Sequence, residues 1–163
     1  MITDNSVASD EITINAPAEL VWSVIVDFAA YPEWNRFCPQ IQGELKLGAP
    51  LAMRVDLGNG LQDQVEYISV IEAPHRIVWS MENKPDDPIH ADRTQIITPV
   101  DANSCRYVSM DEFGGPMVPS MMEALAEAVE RGFNRCAQDL KARAEALHQR
   151  AQRGCEPGRR AGS

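Results

Sequence analysis

The 163-residue sequence predicts an α+β domain: a short strand, two short helices, about six further strands in an antiparallel meander, and a long terminal helix. Three observations carry that expectation. Apolar residues recur every three or four positions from Val118 through Met122, Leu125, Val129, Phe133, Cys136, Leu140 and Ala144 to Leu147, which is one stripe of a helix. Between Gln40 and Phe113 the apolar period falls to two. Short turns separate the alternating runs, and short turns join antiparallel neighbours.

The elements follow in order. Residues 11–15 (EITIN) alternate and read as a strand. Pro17 suits the first position of a helix, where its missing N–H costs nothing, and Glu19 stands where a carboxylate reaches back to the cap. Leu20, Val21, Val24, Ile25 and Phe28 make that helix's buried face. Tyr31, Trp34 and Phe37 cluster around Pro32, which can begin a second short helix and turn Trp34 and Phe37 toward the core. Ile41 to Leu47 and Leu51 to Leu57 alternate on either side of the turn at residues 48–50, and Gly58-Asn59-Gly60 makes the next turn. Leu61, Asp63, Val65, Tyr67, Ser69 and Ile71 are read as one face of a longer strand, with Ile77, Trp79 and Met81 on one face of its return. After the polar loop 83–88, His90 to Thr98 and Ser104 to Phe113 form the last hairpin, and residues 114–116 break the pattern.

The terminal helix is expected over Pro116 to His148, with Ser120 and Glu123 as a capping box. At about 1.5 Å per residue it reaches roughly 45 Å, longer than a small domain is wide, so something must lie beneath it. Met117, Met121 and Met122 enrich its first half in thioethers, which fill irregular space whether as core or as the wall of a ligand cavity. Residues 1–9 are read as a flexible N-terminus, 10–148 as a single domain, and 149–163, rich in Gly and Arg without apolar periodicity, as a disordered basic tail.

The formal charge of −9 argues against nucleic acid as a partner, more so because residues 150–163 hold four arginines against one glutamate and leave the body more acidic still. No apolar run approaches membrane-spanning length and the N-terminus lacks the marks of a signal peptide, so a cytoplasmic protein without integral membrane association is expected. Cys38, Cys105, Cys136 and Cys155 form no C-x-x-C pair and do not cluster with the histidines, so neither a metal nor another cofactor is expected. Glycine-rich phosphate loops, H-E-x-x-H and G-x-S-x-G are absent from the sequence.

Residues 12–22 (ITINAPAELVW) and 27–35 (DFAAYPEWN), with residues 74–79 (PHRIVW) and the Gly114 entry to the terminal helix, resemble the SRPBCC superfamily of START-related lipid-transfer proteins and polyketide cyclase/dehydrases. The resemblance covers about residues 10–148. It implies a helix-grip fold, in which a curved antiparallel sheet of about seven strands wraps the terminal helix around a cavity. It does not choose among carriers and cyclases.

Candidate chemistry centres on the last hairpin. If its turn centres on Ala102, Arg93 stands opposite Asp111, Gln95 opposite Ser109 and Ile97 opposite Tyr107, all on one face. Turned inward, these residues orient a carbonyl or hydroxyl of an apolar ligand; turned outward, they are a cross-strand salt bridge that pins register. His90 is a candidate acid/base at the end of the patch. Trp34, Phe37, Tyr67, Trp79, Phe113, Met117, Met121 and Met122 are candidate walls, with Gln95, Tyr107 and Ser109 as polar contacts. Two functions follow: binding of a hydrophobic small molecule such as a lipid, isoprenoid or polyketide, or cyclase/dehydratase catalysis with Arg93 polarising a carbonyl and Asp111 or His90 moving a proton. A protein-binding module using the outer sheet face would need a large exposed apolar patch, which alternating strands do not suggest. Oligomeric state is open, a homodimer being one option.

Overall fold

The structure is a computed structural model and describes residues 1–155. Its strands are β1 (Ser6–Ala8), β2 (Ile12–Ile14), β3 (Gln40–Gln42), β4 (Pro50–Asp56), β5 (Leu61–Glu72), β6 (Arg76–Ser80), β7 (His90–Asp101) and β8 (Ser104–Gly114); its helices are α1 (Ala18–Val26), a 3-10 helix (Phe28–Glu33) and α2 (Val118–Cys155). The eight strands form one antiparallel sheet in the order β1-β8-β7-β6-β5-β4-β3, with β2 also on β8. Alternation places Leu51, Met53 and Val55 of β4, Ile77 and Trp79 of β6, and Arg93, Gln95 and Ile97 of β7 on the buried face, which packs against α1 and α2. This is the helix-grip arrangement.

Several local expectations are corrected. The N-terminal residues are not free: Val7, fully buried and opposite Asp111, anchors β1 to the edge of β8. A single valine among polar residues shows no period to read. Pro17 is the cap of α1, one position earlier than expected. The 3-10 helix begins at Phe28 with Pro32 inside it. β3 stops at Gln42, and Gly43 then passes so close to the next strand that an added Cβ would meet the Pro50 carbonyl at 2.5 Å; Leu45 and Leu47 are left exposed. α2 starts at Val118, which puts Ser120 inside the first turn rather than ahead of it, so no capping box forms there. It also continues through Cys155, since residues 149–153 contain neither Gly nor Pro and are mostly good helix formers. The remainder of the expected tail lies outside the described residues.

The consequential correction is β5. Ile68 pairs with Trp79 and Ile71 with Ile77, both inward residues, across an irregularity between Ile68 and Val70. One extra residue there reverses the alternation for everything before it. Gln62, Gln64, Glu66 and Ile68 therefore take the inner register, opposite Val55, Met53 and Leu51 of β4, while Val65 is half exposed and Tyr67 faces outward.

Candidate functional site

The β7–β8 hairpin has the register its sequence suggested: Arg93 opposite Asp111, Gln95 opposite Ser109, Ile97 opposite Tyr107. The turn itself falls on Ala102 and Asn103, and an irregularity between Pro99 and Asp101 restores the pairing. All six residues point under the helix. Arg93 is 6% exposed, Gln95 4%, Ser109 0% and Tyr107 1%.

Arg93 does not form the anticipated salt bridge. Its Nε donates to Ser109 Oγ at 3.0 Å and its Nη2 lies 3.9 Å from Cys136 Sγ. The guanidinium carbon sits 4.6 Å from the Phe133 ring centroid and 5.4 Å from those of Phe37 and Trp79. Aromatic faces attract a cation, and most strongly where water is excluded. Among the described residues no carboxylate comes within ion-pair distance of it. Burial works against the charge, yet the guanidinium stays protonated, its pKa held above the ordinary value by the acidic groups around it.

Two carboxyls share this region. Burial pushes Asp111 up to about 6, with Arg93 opposing and Asp92 adding to the rise, and its Oδ1 is buried without a hydrogen-bond partner. Glu66 is 6% exposed and accepts only a long bond, 3.3 Å, from Gln64 Nε2. Burial pushes it up to about 8, the Asp111 charge adds, and Arg93 opposes. Tyr107 Oη donates to Gln95 Oε1 at 2.6 Å, while Gln95 Nε2 and Trp79 Nε1 are buried donors without an acceptor. Tyr107, Tyr31, Cys38 and Cys136 are all raised by burial and stay neutral near pH 7.

Other expected site residues are elsewhere. His90 lies on the outer side of β7, because the inward positions are odd-numbered, and its Nε2 is 2.6 Å from the Lys84 carbonyl oxygen. Tyr67, outward because of the β5 irregularity, has its hydroxyl 3.3 Å from Glu82 Oε1. Trp34 packs edge-on to Tyr31 at 5.0 Å, away from the guanidinium, and Met117 is 48% exposed at the start of α2. Phe113, Met121 and Met122 are half-buried, Phe113 and Met122 against the core. Sequence reasoning passed over Glu66, Phe133 and Cys136 as site residues. The last two were legible in the helical stripe. Glu66 was not: a turn centred on Asn59 sets it opposite the outward Ala52, whereas the observed pairing sets it opposite the inward Leu51.

Over Arg93 the expected hollow is taken up by side chains. Phe37 and Phe133 pack edge to face at 5.5 Å over the guanidinium, and Gly132 gives Phe37 its room, since a Cβ there would meet the ring at 2.6 Å. The openings described lie elsewhere: about 430 Å³ along Gln40, Ala52, Arg54 and Val65 on the outer face, and about 240 Å³ between the β4–β5 turn and Ala128, Arg131, Gly132 and Arg135 of α2. The second adjoins Gly132, with Phe37 on the other side. Among the described residues no three His, Cys, Asp or Glu side chains gather as a metal site, and no helix is long and apolar enough to cross a membrane.

Comparison with known proteins places this geometry. A family model described as polyketide cyclase / dehydrase and lipid transport matches residues 7–145. The chain superposes on the crystal structure of the Zhui aromatase/cyclase from Streptomyces sp. R1128 with a TM-score of 0.67 at 21% identity, covering 86% of this chain and 93% of that one. A START superfamily protein from Mycobacterium smegmatis gives 0.62 at 19% identity over 88% and 99%. Norcoclaurine synthase from Thalictrum flavum, solved in complex with dopamine and hydroxybenzaldehyde, gives 0.64 at 17% over 88% and 87%. At such identities the likeness is one of fold. No curated protein matches the sequence.

Proposed function

The chain belongs to the polyketide cyclase / dehydrase and lipid transport family, and from that premise we propose that it binds an apolar small molecule between the sheet and the first half of α2, with the ligand's polar end at Arg93. One observation carries this: a guanidinium 6% exposed, walled by three aromatic rings, with no carboxylate in contact. A buried charge without a contact partner costs several kcal/mol, which packing alone gives no reason to keep. Buried, perturbed ionisable groups concentrate where ligands are handled. Trp79 Nε1, Gln95 Nε2 and Asp111 Oδ1 supply further unpartnered polar atoms on the same face.

The ligand makes its own room. Phe37 lies outside regular structure, between the 3-10 helix and β3, and its ring is what separates the opening beside Gly132 from Arg93. Rotation of that ring, with adjustment of the flexible Met122, gives an apolar molecule a path and a wall.

Catalysis is a second reading, and it rests on the two carboxyls. Asp111 near 6 and Glu66 near 8 bracket neutral pH beside one cation, the separation that assigns a base and an acid. Arg93 would polarise a carbonyl, Asp111 accept a proton and Glu66 donate one. His90, on the other face, takes no part.

Titration with N-phenyl-1-naphthylamine, a neutral apolar fluorophore, tests binding. The expected result is saturable, blue-shifted emission, with faster uptake by the Phe37→Ala variant because its gate is gone. No binding by either protein would overturn the proposal.

A further inference from the structure

The charges beneath α2 bear on the chemical class of the ligand. Arg93, Glu66 and Asp111 occupy neighbouring positions of one concave face: Arg93 and Asp111 are directly opposed, and Glu66 lies two residues along β5 from Ile68, which opposes Trp79, the neighbour of Arg93 on the other side. Among the described residues neither carboxyl has an ion-pair partner. One cation and two carboxyls are thus enclosed together, all three short of contacts that would fix their charge.

We infer that the site receives an apolar acid, its carboxylate or sulfonate seated on Arg93, and that Glu66 and Asp111 take up a proton from solvent as the anion enters. The inference rests on the binding proposed above and adds the ligand's charge and the proton that travels with it.

Charge balance gives the reason. With both carboxyls ionised the three groups sum to a negative charge that repels an anion; with one protonated they are neutral; with both protonated they are positive. An incoming anion therefore favours protonation, and its carboxylate or sulfonate gives the guanidinium the contact ion pair that no described side chain supplies. Other groups acting on the cluster are Asp92 on β7, Tyr107 on β8, Tyr31 and Cys38 ahead of β3, and Cys136 on α2. Burial keeps the thiols and phenols neutral, so the proton balance falls to the two carboxyls. Protonation of Glu66 near pH 8 and of Asp111 near pH 6 places the two steps.

The test compares 8-anilinonaphthalene-1-sulfonate with N-phenyl-1-naphthylamine, the same skeleton without the sulfonate. Both are titrated by fluorescence from pH 6 to 9 in salt sufficient to bring the Debye length to about 8 Å, which screens the rest of the acidic surface. A linked proton changes affinity up to about tenfold per pH unit across its window. The sulfonate is expected to weaken about tenfold from pH 7 to 9 while the neutral probe changes less than twofold. In Glu66→Gln that upper step disappears from the ratio of the two affinities; in Asp111→Asn a single step is left, that of Glu66, moved to lower pH because the Asp111 charge no longer raises it. Parallel pH profiles for the two probes, or an unchanged step in Glu66→Gln, would overturn the inference while leaving apolar binding intact. Failure of the neutral probe to bind at any pH would overturn both.

Discussion

Residues 130–145 of α2 are tied to both flanks of the sheet, whereas residues 118–129 are tied to neither. On one side Glu130 pairs with the N-terminal ammonium, Asn134 Oδ1 accepts from the Asp10 amide at 2.8 Å, Lys141 Nζ donates to the Thr13 carbonyl at 2.8 Å, and Glu145 accepts from the Asn15 amide at 2.9 Å. On the other, Arg135 donates to the Asp56 carbonyl at 3.0 Å, Asp139 takes the Arg36 guanidinium at 2.8 Å, and Arg143 meets Glu33 at 3.1 Å. Beneath this half Ile14, Cys105, Leu140 and Ala144 make a dry core. Among the described residues no side chain from 118 to 129 reaches the sheet by a hydrogen bond or ion pair. Arg93 lies under the near end of the tied half, against Phe133 and Cys136, with Asp111 directly opposite it on the next strand. One half of the helix is fastened to the rest of the domain, and the other has fewer ties to hold it in place.

Core truncation in the clamped half should have the largest effect. Leu140→Ala is expected to lower the unfolding free energy by about 3 kcal/mol, within the roughly 2–5 kcal/mol range for such deletions, as read by urea denaturation. Binding of N-phenyl-1-naphthylamine to the folded protein should change less than about twofold.

Glu66→Gln should come next, and only at high pH. The folded pKa of Glu66 lies above its unfolded value, so the folded state holds the extra proton between about 4.5 and 8, and stability is lost as pH rises through that window. At about 1.4 kcal/mol per pKa unit, the variant should be more stable than the natural protein at pH 9 by on the order of 2–4 kcal/mol, and close to it at pH 4. Thermal unfolding across pH reads the difference; two parallel curves would deny that Glu66 is enclosed.

Gly132→Ala tests the contact between α2 and Phe37. The new Cβ collides with the Phe37 ring, at an expected cost of about 1–2 kcal/mol. Adding Phe37→Ala should remove most of that added cost, so the two changes should be strongly non-additive in a double-mutant cycle. Additive costs would mean that the ring is not what Gly132 accommodates.

The smallest effect belongs to the surface. Arg143→Ala breaks the pair with the exposed Glu33 and should cost less than about 1 kcal/mol, detectable mainly at low salt.

The architecture was legible because each long element keeps one period. The stripe of α2 and the alternation of β4 and β7 each repeat enough to name a face, and a centre at Ala102 gives the register of the last hairpin only because the irregularity between Pro99 and Asp101 offsets a turn that falls on Ala102 and Asn103. β5 was misread because its apolar residues Leu61, Val65 and Tyr67 form a regular series on the face that ends outward. The irregularity at Ile68–Val70 that causes this leaves no compositional mark, and it concealed Glu66 among residues assigned to solvent. β1 was missed because one valine makes no pattern. Packing of the aromatic rings over Arg93 depends on Gly132 and Phe37 meeting across the domain, which no local pattern expresses.

The most direct test is a residue-resolved NMR shift map of the protein titrated with N-phenyl-1-naphthylamine. The two halves of the grip should respond unequally, with perturbations gathered at Phe37, Trp79, Arg93, Asp111 and residues 118–133, and with Ile14, Cys105, Leu140 and Ala144 undisturbed. Shifts confined to the outer face along Gln40, Ala52 and Val65, or to the dry end, would contradict the account.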